Sequence, residues 1–64
     1  MQTKNLIRTK RKAMGITQKE LAVLLGKERS TIAKYEAGAS LTLPVVKALS
    51  AILKIPIAEF LDNV

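Results

Sequence analysis

Apolar residues recur three, four or seven positions apart along the chain and are interrupted at short intervals by Gly15, Gly26, Gly38, Pro44 and Pro56. Spacing of that kind predicts amphipathic helices and requires no strand. Each glycine follows a run of good helix formers, where a left-handed residue commonly ends a helix. Thr17 and Glu20 stand three residues apart in the capping-box pattern, which places a helix start at Gln18. Thr42 can cap a fourth helix with Pro44 in its first turn, and Pro56 can open a fifth. The expected elements are therefore five helices, running from Thr3 to Met14, Gln18 to Leu25, Glu28 to Ala37, Leu43 to Leu53 and Ile57 to Leu61.

Placed on those helices, the apolar positions supply a single core. Ile7 and Met14 line one face of the first helix, Leu21, Ala22 and Leu25 the second, Ile32 and Tyr35 the third, and Val46, Leu49 and Leu53 the fourth. Ile16, Ile55, Ile57, Phe60 and Leu61 are expected to close it. A second apolar stripe, Leu41, Val45 and Ile52, and a crowded C-terminal group, Ile57, Phe60 and Val64, exceed what one small core needs.

Composition narrows the possibilities. Sixty-four residues are expected to form one domain with no second, near the lower limit for unaided folding. With no Cys and no His there is neither a disulfide framework nor a thiolate or imidazole metal site. The five carboxylates are scattered, so no acid–base constellation is visible, and the chain is expected to be no enzyme and to need no cofactor, metal or small-molecule ligand. Lys and Arg interrupt the first fifteen residues, which argues against a signal peptide or a membrane span there and for a cytoplasmic protein.

The charge is one-sided. Residues 1–36 hold nine Lys and Arg against three Glu, and residues 37–64 hold two Lys against Glu59 and Asp62, so the two parts carry +6 and 0. A positive field confined to one side suits a polyanion, either nucleic acid or an anionic membrane. A membrane-active helix would have to be continuous, whereas glycine or proline breaks this pattern about every dozen residues.

The segment Thr17 to Gly38, TQKELAVLLGKERSTIAKYEAG, carries the functional signal. Ala22 is small where two helices would cross, and Gly26 can take the conformation of the tight turn joining them. Together with RKAMGITQKELA, RSTIAKYEAG and the closing LKIPIAEFL, this segment resembles the helix-turn-helix domain of lambdoid phage repressors and Cro proteins, the XRE family. The resemblance runs from about Ile7 to Leu61. It implies an all-α, five-helix, lambda-repressor-like fold and dimeric binding to a palindromic operator in double-stranded DNA, with the third helix reading bases. It further implies that Gln18 contacts phosphate, that Arg29, Ser30 and Lys34 face base edges, and that Arg11 pairs with Glu36. Arg11 and Glu36 also project from core-facing positions of helices that must touch.

The residues point the same way without the resemblance. On a helical wheel Arg29, Ser30, Ala33 and Lys34 share one face of the third helix, opposite Ile32, Tyr35 and Glu36. Arg29 can donate twice to guanine, Lys34 can reach guanine or phosphate, Ser30 can serve either base, and Ala33 leaves room or touches a thymine methyl. Thr17 and Gln18 at a helix start offer backbone donors to a phosphate. Lys27 and Glu28 depart from the family pattern at the turn, and the loop ASLTL after Gly38 lacks the usual cations. Backbone amides near Gly38, or Arg8, Lys10 and Lys12, are the candidates to replace them.

In the family the C-terminal region meets a symmetry mate, which makes Ile57, Phe60 and Val64 the expected homodimer interface. A repressor of transcription is the favoured reading, and the length favours a stand-alone regulator. The competing reading is an antitoxin or protein-binding adaptor that keeps the fold, and the basic, small-residue outer face of the third helix favours DNA.

Overall fold

The computed structural model describes residues 3–61, and side chains within residues 6–60. Five helices follow one another: α1 (Thr3–Ala13), α2 (Gln18–Leu25), α3 (Arg29–Glu36), α4 (Leu43–Leu53) and α5 (Ile57–Leu61). No strand occurs among the described residues. The lengths follow from local chemistry. Thr17 caps α2, its hydroxyl accepting from the Glu20 amide while its own N–H donates to the Glu20 carboxylate. Gly26, at φ 68° and ψ 34°, then ends α2 in the left-handed region. Space does not require glycine there, because a Cβ at Gly26 would meet nothing within 4 Å; the backbone conformation does.

The helices stack so that α3 lies against both α2 and α1, α4 covers α1 and α2, and α5 packs on α4. Ile7, Leu21, Ile32, Leu49 and Ile55 are fully buried where these elements meet, surrounded by Leu6, Ala22, Val45, Leu53 and Phe60. Ile16, Leu25, Tyr35, Leu41, Val46 and Ile52 pack around the edge of this cluster. Leu6 was not among the expected core positions. It is buried beside Ile7 because α1 touches two helices, α3 and α4, and so hides two neighbouring faces.

Four apolar side chains differ from expectation. Met14 is 46% exposed, since α1 ends at Ala13 and Met14 already belongs to the turn. Val45, read as part of a second stripe, is core. Phe60, expected both to close the core and to stand at a dimer interface, is core, only 3% exposed within the protomer. It joins the core cluster from α5, the helix that packs on α4. Ile57, expected in the core and at the interface, is on the surface, 39% exposed. Leu61's side chain and Val64 lie outside the described residues.

Two helix ends were not foreseen in detail. Thr42 stands at the N-cap of α4 without a side-chain capping bond. At the other end α4 stops at Lys54, which adopts φ 56° and ψ 44° although nothing in its side chain favours that conformation. The amides of Lys54 and Ile55 both donate to the Ser50 carbonyl, and the Ser50 hydroxyl donates to the Ile55 carbonyl, which closes the corner. This corner turns the chain into α5 and delivers Phe60 to the core. Left-handed backbone costs an L-residue about 1–2 kcal/mol, partly offset on replacement by the greater freedom of unfolded glycine. Lys54→Gly is therefore expected to raise stability by about 0.5–1 kcal/mol, a melting-temperature increase of about 2–8 °C in a calorimetric scan. Lys54→Val should lower it; equal melting temperatures for the two variants would show that the corner is unstrained.

Candidate nucleic-acid interface

The outward face of α3 collects the side chains singled out by the wheel. Arg29, Ser30 and Lys34 are exposed and Ala33 is half-buried, while Ile32 on the other side is anchored in the core. α3 starts after Glu28, which makes no side-chain capping bond, and ends where the chain turns away at Ala37 and Gly38. α3 packs against α2, on which Ala22 is buried, and the two are joined by the turn at Gly26, where the Lys27 amide donates to the Ala22 carbonyl at 2.9 Å. A larger residue at Ala22 would overpack the core against which α2 lies.

A second tie joins α3 to α1. Arg11 Nε donates to Glu36 Oε2 at 2.6 Å and Arg11 Nη2 to Oε1 at 3.2 Å, a forked pair whose side chains are 9% and 6% exposed. Arg11 Nη1 also donates to the Ile16 carbonyl at 2.9 Å, so the same guanidinium pins the loop leading into α2. Gln18 adds a donor: its Nε2 reaches Glu36 Oε1 at 3.1 Å. Burial pushes the Glu36 carboxyl up, but the hydrogen bonds from Arg11 and Gln18 and the charges of Arg11 and Arg8 outweigh it, leaving the group below its ordinary value of 4.5.

The chain of polar contacts continues onto the recognition face. Arg29 Nη1 donates to Gln18 Oε1 at 3.1 Å, so Arg11, Glu36, Gln18 and Arg29 form one connected set running from the interior to the surface. Sequence reading placed Gln18 at a phosphate and Arg29 at a base without joining them, because their contact crosses eleven residues and two helices.

The candidate phosphate donors are distributed unevenly. Thr17's N–H is occupied by Glu20, which leaves the amides of Gln18 and Lys19 as the open donors of the first turn of α2. At the other end of α3, the Gly38 amide donates to the Tyr35 carbonyl and the Ala39 amide to the Lys34 carbonyl. These amides close the helix, so at this corner cationic side chains are the better phosphate donors. Arg8 and Lys12 on α1 are exposed, and Arg8 is close enough to Glu36 to act on its charge. Among the described residues no group of three His, Cys, Asp or Glu could hold a metal ion, and no helix is long and apolar enough to cross a membrane.

A helix-turn-helix with a basic outer face defines a DNA-binding domain, and the sequence comparisons agree. The helix-turn-helix family model matches residues 7–60, and the chain belongs to that family, in the XRE branch that its motifs resemble. It is similar to a protein of Methanocella arvoryzae provisionally named as an HTH-type transcriptional regulatory protein, with 44% identity over 52 residues. That match covers 81% of the chain and 16% of the relative, so the chain spans about one-sixth of the relative's length. No solved structure matches the chain.

Because the Glu36 carboxyl is held below its ordinary value, its contribution to stability is present above pH 4.5 and is lost as pH falls through the lowered value. Glu36→Gln is expected to cost about 3–5 kcal/mol at neutral pH, since it leaves the Arg11 charge buried with neutral carbonyl acceptors only and no opposite charge. Thermal melts between pH 7 and pH 3 should show an acid loss in the native protein that shrinks in the variant. An unchanged acid transition in Glu36→Gln would assign that loss to other carboxylates.

Proposed function

We propose that this chain is the DNA-reading domain of a transcription regulator, a repressor that binds a palindromic operator as a dimer with α3 in the major groove. The observation that carries the proposal is the outer face of α3. There Arg29, Ser30 and Lys34 stand clear of the core on a helix whose angle is set by α2 and braced by the Arg11–Glu36 pair. Arg29 near the start of α3 reaches deepest and donates to guanine O6 and N7; Lys34 and Ser30 read neighbouring edges, and Ala33 leaves room for a thymine methyl.

Phosphates on one side of the groove meet the amides that open α2, at Gln18 and Lys19 beside Thr17. On the far side, past Gly38, the uncharged loop gives way to Arg8 and Lys12 of α1 as the cationic contacts. The relative from Methanocella arvoryzae, by its name a transcriptional regulatory protein, supports the regulatory role. Such a protein works on DNA in the cytoplasm.

A two-fold pair of domains would set the α3 helices about 34 Å apart, one turn of B-DNA. Ile57 at the start of α5 and Leu43 at the start of α4 are exposed apolar side chains available to a partner, whereas Phe60 is committed to its own core. Ile57→Glu is therefore the variant that should separate protomers without unfolding them; Phe60→Glu would unfold them.

Selection of bound sequences from a random duplex pool should enrich a palindrome, and sedimentation should show two protomers per site, reduced to weak one-to-one binding by Ile57→Glu. Arg29→Ala should lose about 1–3 kcal/mol of discrimination at one base position per half-site. Affinity should fall steeply with salt as phosphate contacts release counterions. A pool that enriches no sequence would reject DNA reading and leave a protein-binding role for the fold.

A further inference from the structure

The outer face of α2 beyond its first turn is used neither by the core nor by the proposed DNA contact. Val23 and Leu24, adjacent on this helix, are 73% and 58% exposed, and Val23 is the most exposed large apolar side chain among the described residues. A lone exposed aliphatic residue is ordinary; here two stand side by side between charges of opposite sign. Glu20 lies three and four residues before them, on the same side of the helix, and Lys27 lies at the same distance beyond them, past the turn at Gly26. Both are exposed, and the Lys27 ammonium makes no ion pair among the described residues. One Glu20 oxygen accepts from the Thr17 N–H of the capping box, which leaves the other oxygen open. The surface between Leu24 and Lys27 is open as well, because a Cβ at Gly26 would meet nothing within 4 Å.

We propose that this face binds a second copy of the chain, with the two α2 helices antiparallel across a two-fold axis. The order of the charges selects both the partner and the direction. Glu20 and Lys27 are equally far from the midpoint between Val23 and Leu24. Antiparallel helices that share this midpoint therefore set Glu20 of each copy near Lys27 of the other, with the apolar pairs between them; parallel helices would set Glu20 on Glu20 and Lys27 on Lys27. Lys27 departs from the family pattern at the turn, so the contact belongs to this chain. It uses an element other than those that carry Leu43 and Ile57, and so links one pair of domains to the next. Two apolar and two charged residues a side fall far short of the about 20–30 of a standard interface. Free domains therefore meet weakly, and the contact takes hold where copies are already close together, as on neighbouring sites of one duplex.

The test needs no DNA. It uses the full chain carrying Ile57→Glu, which removes the contact proposed for α5, in about 0.15 M salt to screen the net positive charge. The methyl resonances of Val23 and Leu24 should shift with protein concentration, with a dissociation constant on the order of 1 mM, while those of core residues stay in place. Lys27→Glu should weaken this association by about tenfold or more, although it lowers the net positive charge; relief of a general repulsion would strengthen it instead. Glu20→Lys should weaken it as much. Mixed one to one, the two variants should associate as their parent does, because antiparallel pairing then sets a carboxylate against an ammonium at both ends.

Val23 and Leu24 methyls that stay in place at several times that concentration would reject a second copy as the occupant and leave the face to another partner. Association that survives Lys27→Glu undiminished, or a mixture that recovers nothing, would overturn the antiparallel pairing. Glu20→Lys also removes the carboxylate that accepts from Thr17, so its fold is checked by circular dichroism. If it does not fold, Val23→Gln with Leu24→Gln, at exposed positions, takes its place and should abolish the association seen by sedimentation. Equal association of that double variant and its parent would sink the idea. Since no duplex is present, a protein that enriches no DNA sequence leaves these outcomes unchanged, and one that reads DNA without the α2 contact rejects the second copy alone.

Discussion

The orientation of α3 depends on a charge pair that water barely reaches. Arg11 and Glu36 face each other across the contact of α1 with α3, their side chains 9% and 6% exposed, and the guanidinium also holds the carbonyl of Ile16. A buried pair of this sort offers little net stability over a well-packed apolar contact, because desolvation offsets most of the attraction. What it supplies is geometry. The forked pairing accepts one mutual arrangement of the two helices, and the third donor fixes the loop between α1 and α2 in the same act. Leucines in these positions would hold the helices together while tolerating a sliding or rotated α3.

Around that constraint the remaining elements have separable tasks. Gly26 sets the turn from α2 to α3 by taking a left-handed backbone, and Ala22 keeps the buried face of α2 small. The aliphatic cluster of Ile7, Leu21, Ile32, Leu49 and Ile55 supplies the hydrophobic drive but carries little directional information. α4 and α5 complete the core and end it, with the strained corner at Lys54 bringing Phe60 under the cluster. The division matters for a domain of this size, where stability is thin and a recognition surface must still be rigid. Polar contacts at the α1–α2–α3 junction give rigidity where DNA would be met, and apolar packing elsewhere gives the stability.

The positive charge is arranged on the same principle. Arg29 and Lys34 on α3, Lys19 on α2 and Arg8 and Lys12 on α1 all belong to the three helices at this junction. The helices behind them, α4 and α5, carry Lys47 and Glu59 and are otherwise without charge. The positive charge is therefore concentrated on the three helices that include the helix-turn-helix.

Much of this was legible in the order of residues, because it rests on contacts only a few positions apart. The capping box of Thr17 and Glu20, the left-handed turn at Gly26, the division of α3 into a wet face and a core face, and the bounds of α2, α4 and α5 all follow from local stereochemistry. The corner at Lys54 escaped that reading because no glycine marks it, and Met14 escaped it because α1 ends one residue sooner than its apolar spacing implies. Tertiary structure alone decided that Val45 and Phe60 turn inward, since an apolar residue fits a core and a partner's surface equally well until its neighbours are in place. It also decided that Gln18 lies between Glu36 and Arg29: those contacts span eighteen and eleven residues, and local spacing holds no record of which side chains the packing of three helices brings within hydrogen-bond reach.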